Sequence, residues 1–264
     1  MGGGGRRHAK AGPVPNRGTA ISYGLTQAPP PGSGLSPEQL SERVAAVGLL
    51  LPVALMLLLS AISHKDGSAG PIALSDAVLA QGIAVELVLA LTMGSWLWRR
   101  GWRPLRTATY PFQPLDLARG MILWAGAIVA VAAWVLVCRA VFPHLFAVAK
   151  GTEILGAPRL SLSLAYSVFN AVFEELLWLG LGFAAFRRFG MGVAGPISAA
   201  LRLLAHGYQG PLALVTVLPV GIVFTLYYVR TRRLWPIVVA HAFQDTLALS
   251  LLAGHSSSGL PNIS

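Results

Sequence analysis

Seven ionisable side chains fall inside long apolar stretches of this chain: Glu86, Glu174, Glu175, Arg202, His206, His241 and Asp245. Placing such a group in a bilayer costs on the order of 3 kcal/mol, so each needs a reason. Six of the seven lie in the C-terminal half. Glu174 and Glu175 are adjacent in Phe173-Glu174-Glu175-Leu176-Leu177-Trp178. On a helix they point roughly 100° apart, so they cannot meet at one point, but both can border one cavity. Like charges raise each other's cost there, and one must be protonated or held by a cation. Arg202 and His206 are four residues apart, as are His241 and Asp245, so each pair shares a helix face. The cluster holds no serine–histidine–aspartate set, and the single cysteine, Cys138, is remote in sequence. A His-Glu-x-x-His metalloprotease motif is also missing. What remains is carboxylate and imidazole chemistry acting on water. Glu86 stands alone in an earlier stretch and reads as a pairing or packing residue, or as part of a cavity wall.

The elements that must position these residues follow from composition. Of 264 residues, 55% are apolar and 11% charged, with a mean hydropathy of +0.64. An ordinary soluble domain carries about 25% charged residues. So few charges cannot cover a water-facing surface, which excludes a soluble enzyme. The apolar residues fall in seven blocks, at 44–62, 77–98, 120–138, 160–186, 189–206, 210–229 and 234–253. Most approach the ~20 residues that a membrane-crossing helix needs. We therefore expect an all-α, polytopic transmembrane bundle of about seven spans over residues 41–256. A Gly- and Pro-rich basic tail at 1–40 is expected to be disordered. The fifth block is short, rich in Gly and Ala, and contains Pro196. It is expected to be tilted, broken or re-entrant.

The net charge of +10 would suggest nucleic acid in a soluble protein. Here the cations sit mostly between apolar blocks, where they orient helices. With a cytoplasmic N-terminus, 15 Lys and Arg fall on the inner side and 4, namely Lys65, Arg139, Lys150 and Arg159, on the outer. That bias predicts a multi-pass protein of the cell's inner (plasma) membrane with its N-terminus in the cytoplasm. The partner expected is the lipid bilayer, not nucleic acid.

The C-terminal half, about residues 160–253, resembles the CPBP family of intramembrane proteases, named for CAAX protease and bacteriocin processing. That family carries EExxxR, FxxxH and HxxxN or HxxxD on separate transmembrane helices. Glu174-Glu175 looks like the first motif, His206 in Leu204-Ala205-His206-Gly207 the second, and His241-Ala242-Phe243-Gln244-Asp245 the third. The resemblance implies an endopeptidase for membrane-associated protein or peptide substrates. It implies catalytic roles for Glu174, Glu175, His206, His241 and Asp245, with Glu174 and His206 activating water and His241 with Asp245 stabilising an oxyanion. Glu174, His206 and His241 could hold zinc, and the family is labelled metalloprotease; a metal-free, glutamate-driven mechanism is equally open. Two positions depart from the pattern. The motif arginine falls on Leu179, and the motif phenylalanine falls on Arg202. Arg202 is expected to replace the lost guanidinium and neutralise Glu175 from the neighbouring helix. A non-catalytic scaffold of the same fold and, behind it, a proton-coupled transporter are the alternatives.

Overall fold

The computed structural model describes residues 37–63, 72–73, 75–101, 110–144, 154–155, 158–207 and 211–257. Residues 1–36 of the expected tail lie outside the described residues, whereas its last four belong to the first helix. Seven helices stand where the seven apolar blocks fall: α1 Pro37–Ser63, α2 Asp76–Arg99, α3 Leu115–Val141, α4 Leu160–Ala185, α5 Met191–Ala205, α6 Pro211–Thr231 and α7 Trp235–Ser257. Helices are the natural form for such sequences, because hydrocarbon offers no partner to a backbone N–H or C=O. A two-residue parallel pairing of Ile72–Ala73 with Ile154–Leu155 ties the α1–α2 and α3–α4 connections together. Beside it, Arg159 Nε meets Asp76 Oδ2 at 2.5 Å.

The ends of the helices are written locally. Ser75 caps α2 by accepting from the Val78 N–H at 3.3 Å. Gly190, at φ +78°, makes the left-handed turn into α5 that glycine adopts without penalty. Arg232 closes α6 in the left-handed region, φ +55°, donating its N–H to the Tyr228 carbonyl at 2.8 Å. This turn sends Arg233 back towards the start of α3. There Arg233 grips Asp116 with both arms of its guanidinium, Nε to Oδ1 at 2.9 Å and Nη2 to Oδ2 at 2.6 Å. Arg119 and the Gln113 N–H complete the shell around the same carboxylate.

Helix α4 lies at the centre, packed by α1, α2, α5 and α7; α7 also packs on α3, and α6 on α3 and α5. One apolar core joins α3, α4, α6 and α7 around Ala127, Leu179, Phe224 and Ile237. A second joins α1, α2 and α4 around Leu49, Leu97, Leu177 and Trp178. Small residues let the helices close up, as they do in membrane bundles. A Cβ on Gly120 would lie 2.6 Å from Val239 Cβ, and one on Gly182 would lie 2.8 Å from Ser198 Oγ. Helices α2, α3 and α4 are each long and apolar enough to cross a membrane. Their surroundings differ: 72% of the α4 stretch is buried, against 6% of α2 and 11% of α3. Val88, Leu91, Ile122 and Val129 lie exposed on the outer helices, as lipid-facing residues should. The chain is a membrane protein.

Candidate active site

Glu174 and Glu175 end the regular part of α4. The helix then widens into a π turn at Leu176–Leu181, where the Gly182 N–H reaches back to the Leu177 carbonyl. Such turns recur at functional sites because they redirect side chains without ending the helix. Here Ser198 of α5 donates its hydroxyl to the Trp178 carbonyl inside the turn. Nothing in the sequence spacing announces the π turn.

α5 brings the second motif to the same depth. Its 15 residues span about 22 Å at 1.5 Å per residue, short of a hydrocarbon core of roughly 30 Å. His206 caps its C-terminus, so it stops beside the middle of α4. The fifth segment is thus a short helix, with Pro196 inside it and no break.

The two neighbouring acids have different surroundings. The Glu175 side chain is 0% exposed, and its Oε2 lies 2.5 Å from Arg202 Nη2 in a close ion pair that is off the hydrogen-bond axis. Its Oε1 lies 2.7 Å from His241 Nδ1. Arg202 is held from the other side by α6. Its guanidinium lies 5.9 Å from the Phe224 ring centroid, and its stem passes beside Gly221. The expected pairing of Arg202 with Glu175 is therefore present, and Leu179 is buried in the apolar core.

Glu174 faces the more open side. Its side chain is 13% exposed; Oε2 accepts from Trp178 Nε1 at 3.2 Å and Oε1 lies 3.8 Å from His206 Nε2. His206 Nδ1 lies 2.8 Å from the Arg202 carbonyl. A carbonyl only accepts, so Nδ1 carries the hydrogen and Nε2 is the atom turned to Glu174. His241 Nε2 lies 3.4 Å from Asp245 Oδ2, which in turn accepts from Asn170 Nδ2 at 3.1 Å. The structure thus places Glu174 with His206, and Glu175 with both Arg202 and His241.

Three participants escaped the reading of the motifs. Trp178 is four residues beyond Glu174 and Asn170 four before it, so all three share one face of α4. A polar Asn inside an apolar span is the signal that could have found Asn170. Phe224 could not have been found, since an aromatic residue in an apolar helix is indistinguishable from packing.

The zinc set of Glu174, His206 and His241 does not form. Among the described residues, no group of three His, Cys, Asp or Glu side chains is placed to hold a metal ion. His241 turns its Nδ1 to Glu175 and its Nε2 to Asp245 instead of facing Glu174 and His206. No step is derived through a metal.

Residues 156–247 match the family model of type II CAAX prenyl endopeptidases, Rce1-like. The match covers the helices that carry all three motifs and agrees with the CPBP resemblance of the sequence. No curated protein and no solved structure matches the chain. Within the matched segment, Leu179 stands at the motif arginine position and Arg202 lies beside Glu175.

Proposed function

We propose that this protein is an intramembrane endopeptidase in which Glu174, with His206, activates water against a peptide bond of a membrane-associated protein or peptide. The observation that carries the reading is the division of labour between adjacent acids. Glu175 is sealed between a guanidinium and an imidazole, while Glu174 is partly open and faces an imidazole nitrogen.

A water hydrogen-bonded to both Glu174 Oε1 and His206 Nε2 is held where one proton can leave it. Glu174 takes that proton as the water oxygen attacks the carbonyl carbon, and returns it to the amine as the C–N bond breaks. His206, its Nδ1–H fixed on the Arg202 carbonyl, orients the water through Nε2. The negative charge that develops on the carbonyl oxygen needs donors on the opposite side. His241 and Asp245 line that side, with the His241 ring nitrogens turned to Glu175 and Asp245, so the free donor there comes from their neighbour Asn170. Asp245 stands where the family often has asparagine, and the Asn170 amide beside it carries a second N–H to offer. The reaction is glutamate-driven in this scheme.

The N-terminus is in the cytoplasm, which puts the Asp116–Arg233 contact at the inner face. Membranes containing wild-type or Glu174→Ala protein, compared by quantitative proteomics, test the function. A membrane-associated precursor should accumulate with Glu174→Ala; identical profiles at equal protein levels would refute the protease reading.

A further inference from the structure

The first turns of α1 meet the turn that joins α4 to α5 at one end of the bundle. Between them lies a cavity of about 220 Å³, lined by Glu42, Arg43, Ala46, Ala185 and Arg188. No residue of the reactive cluster lines it. Its floor is apolar. Ala185 ends α4 and shares a core with Ala45, Leu49, Leu177 and Trp178, and Ala46 packs against the same core. Its rim is charged, with two guanidiniums and one carboxylate. Glu42 and Arg43 are neighbours on a helix, so their side chains diverge by about 100° and cannot serve each other. Among the described residues, none of the three charged groups forms a salt bridge. Arg188 rests on the Phe189 ring, 4.5 Å from its centroid.

The place of the cavity sets what can fill it. α4 is long and apolar enough to cross a membrane, and the cavity lies at its end, level with the lipid headgroups. Val47 and Leu50 follow Arg43 along one face of α1, one and two turns deeper, and are 52% and 51% exposed. They make an apolar track from the cavity into the hydrocarbon. A ligand with its polar head in the cavity and its chains on this track is a phospholipid. The volume is below the ~300 Å³ at which pockets for drug-sized molecules begin, which suits a small headgroup. The charges decide which headgroup. Guanidinium forks match phosphate oxygens. The carboxylate beside them disfavours a purely anionic head and calls for a donor, which a primary ammonium supplies.

We propose that this cavity binds a phospholipid whose headgroup carries a primary ammonium, with the phosphate between Arg43 and Arg188 and the ammonium on Glu42. The proposal rests on the chain being a membrane protein and not on the endopeptidase reading. Native mass spectrometry of the full chain in detergent tests it. The probes are phosphatidylethanolamine, phosphatidylcholine and phosphatidylglycerol with identical acyl chains. The second has the same phosphate but a quaternary ammonium that donates no hydrogen bond, and the third has no ammonium. The first phosphatidylethanolamine should bind about tenfold tighter than either, equivalent to ~1.4 kcal/mol. Glu42→Gln should erase that preference while leaving phosphatidylcholine unchanged. Arg43→Gln with Arg188→Gln should weaken all three lipids. Ala46→Leu keeps every charge but fills the floor, and should weaken all three as well. Arg99→Gln with Arg100→Gln, at the end of α2 and outside the cavity lining, should change nothing. Thermal unfolding without added lipid checks that each variant is folded. Equal binding of the three lipids, or a preference that survives Glu42→Gln, overturns the proposal. So does tightest binding of phosphatidylglycerol, which would make the rim a general anion site. Equal losses from the Arg99–Arg100 and Arg43–Arg188 pairs would also overturn it, because they would reduce the effect to unspecific surface charge.

Discussion

Two ionic networks hold this bundle together, and they differ in what they leave open. At the start of α3, Asp116 is 0% exposed and saturated by Arg233, Arg119 and the Gln113 N–H. It clamps α3 to the connection between α6 and α7. In the interior, Glu175 is equally buried and held by Arg202 and His241 from α5 and α7. There the adjacent carboxylate, Glu174, stays partly open beside His206. A clamp at a helix end needs only its own closure. A clamp in mid-membrane carries a heavier desolvation cost, and here it stands beside an acid that stays partly open.

The sharpest way to break the comparison is Glu174→Gln. It preserves volume and the acceptor for Trp178 but cannot take a proton. Turnover of a cleavable membrane peptide should fall by at least ~100-fold, with thermal stability close to wild type. Asp116→Asn should do the reverse. It weakens the bidentate grip of Arg233 and should cost about 2 kcal/mol of stability, the exposed edge of Arg233 reducing the loss. Cleavage per folded molecule should not change. If Asp116→Asn removed activity without unfolding, the clamp would not be purely structural.

Arg202→Leu lies between these extremes, because it strikes both stability and chemistry. It leaves Glu175 without its guanidinium, a loss of about 3–5 kcal/mol for a broken buried pair, and activity should drop to background. Leu179→Arg in the same protein returns a guanidinium to the motif position, four residues from Glu175, and should restore part of both. Arg202→Leu with full activity would show that the pair is dispensable.

These variants also mark how much could be read from the residues alone. The seven helices were legible because apolar blocks bounded by Arg leave few other options in a membrane. The Glu–Glu, Arg–His and His–Asp spacings were legible because polar groups in hydrocarbon stand out. The proximity of Arg202 to Glu175 was readable because a lone guanidinium in an apolar helix needs a carboxylate on a neighbouring one. The π turn was not, since it depends on Ser198 approaching across Gly182, a tertiary contact. The Asp116 clamp was hidden because Arg233 sits among arginines that already had an explanation in membrane orientation. The zinc set failed because spacing fixes which face of a helix a histidine occupies, but not the direction of its ring. Consistent with that geometry, chelation of divalent metal should leave cleavage within about twofold of its starting rate.

The smallest expected effect concerns alkaline pH at the two networks. The Asp116 hydrogen bonds hold the Arg233 guanidinium above its already high ordinary pKa. A group raised in the folded state contributes stability that is present below its unfolded pKa and lost only as pH climbs through the folded value. For a guanidinium that window lies above about pH 12. The Asp116–Arg233 clamp should therefore be indifferent to pH between 7 and about 10.5. Replacing Arg233 with Lys should change this. An ammonium has an ordinary pKa near 10.4 and cannot span both carboxylate oxygens in a planar fork. Arg233→Lys protein should be modestly less stable at pH 7 and lose further stability as pH rises through the lysine's titration, while wild type does not. Thermal unfolding of both proteins in detergent from pH 7 to about 11.5, past the ordinary lysine titration, measures the difference. Parallel pH profiles would show that the charge of residue 233 contributes little, and that Asp116 is held mainly by Arg119 and the Gln113 N–H.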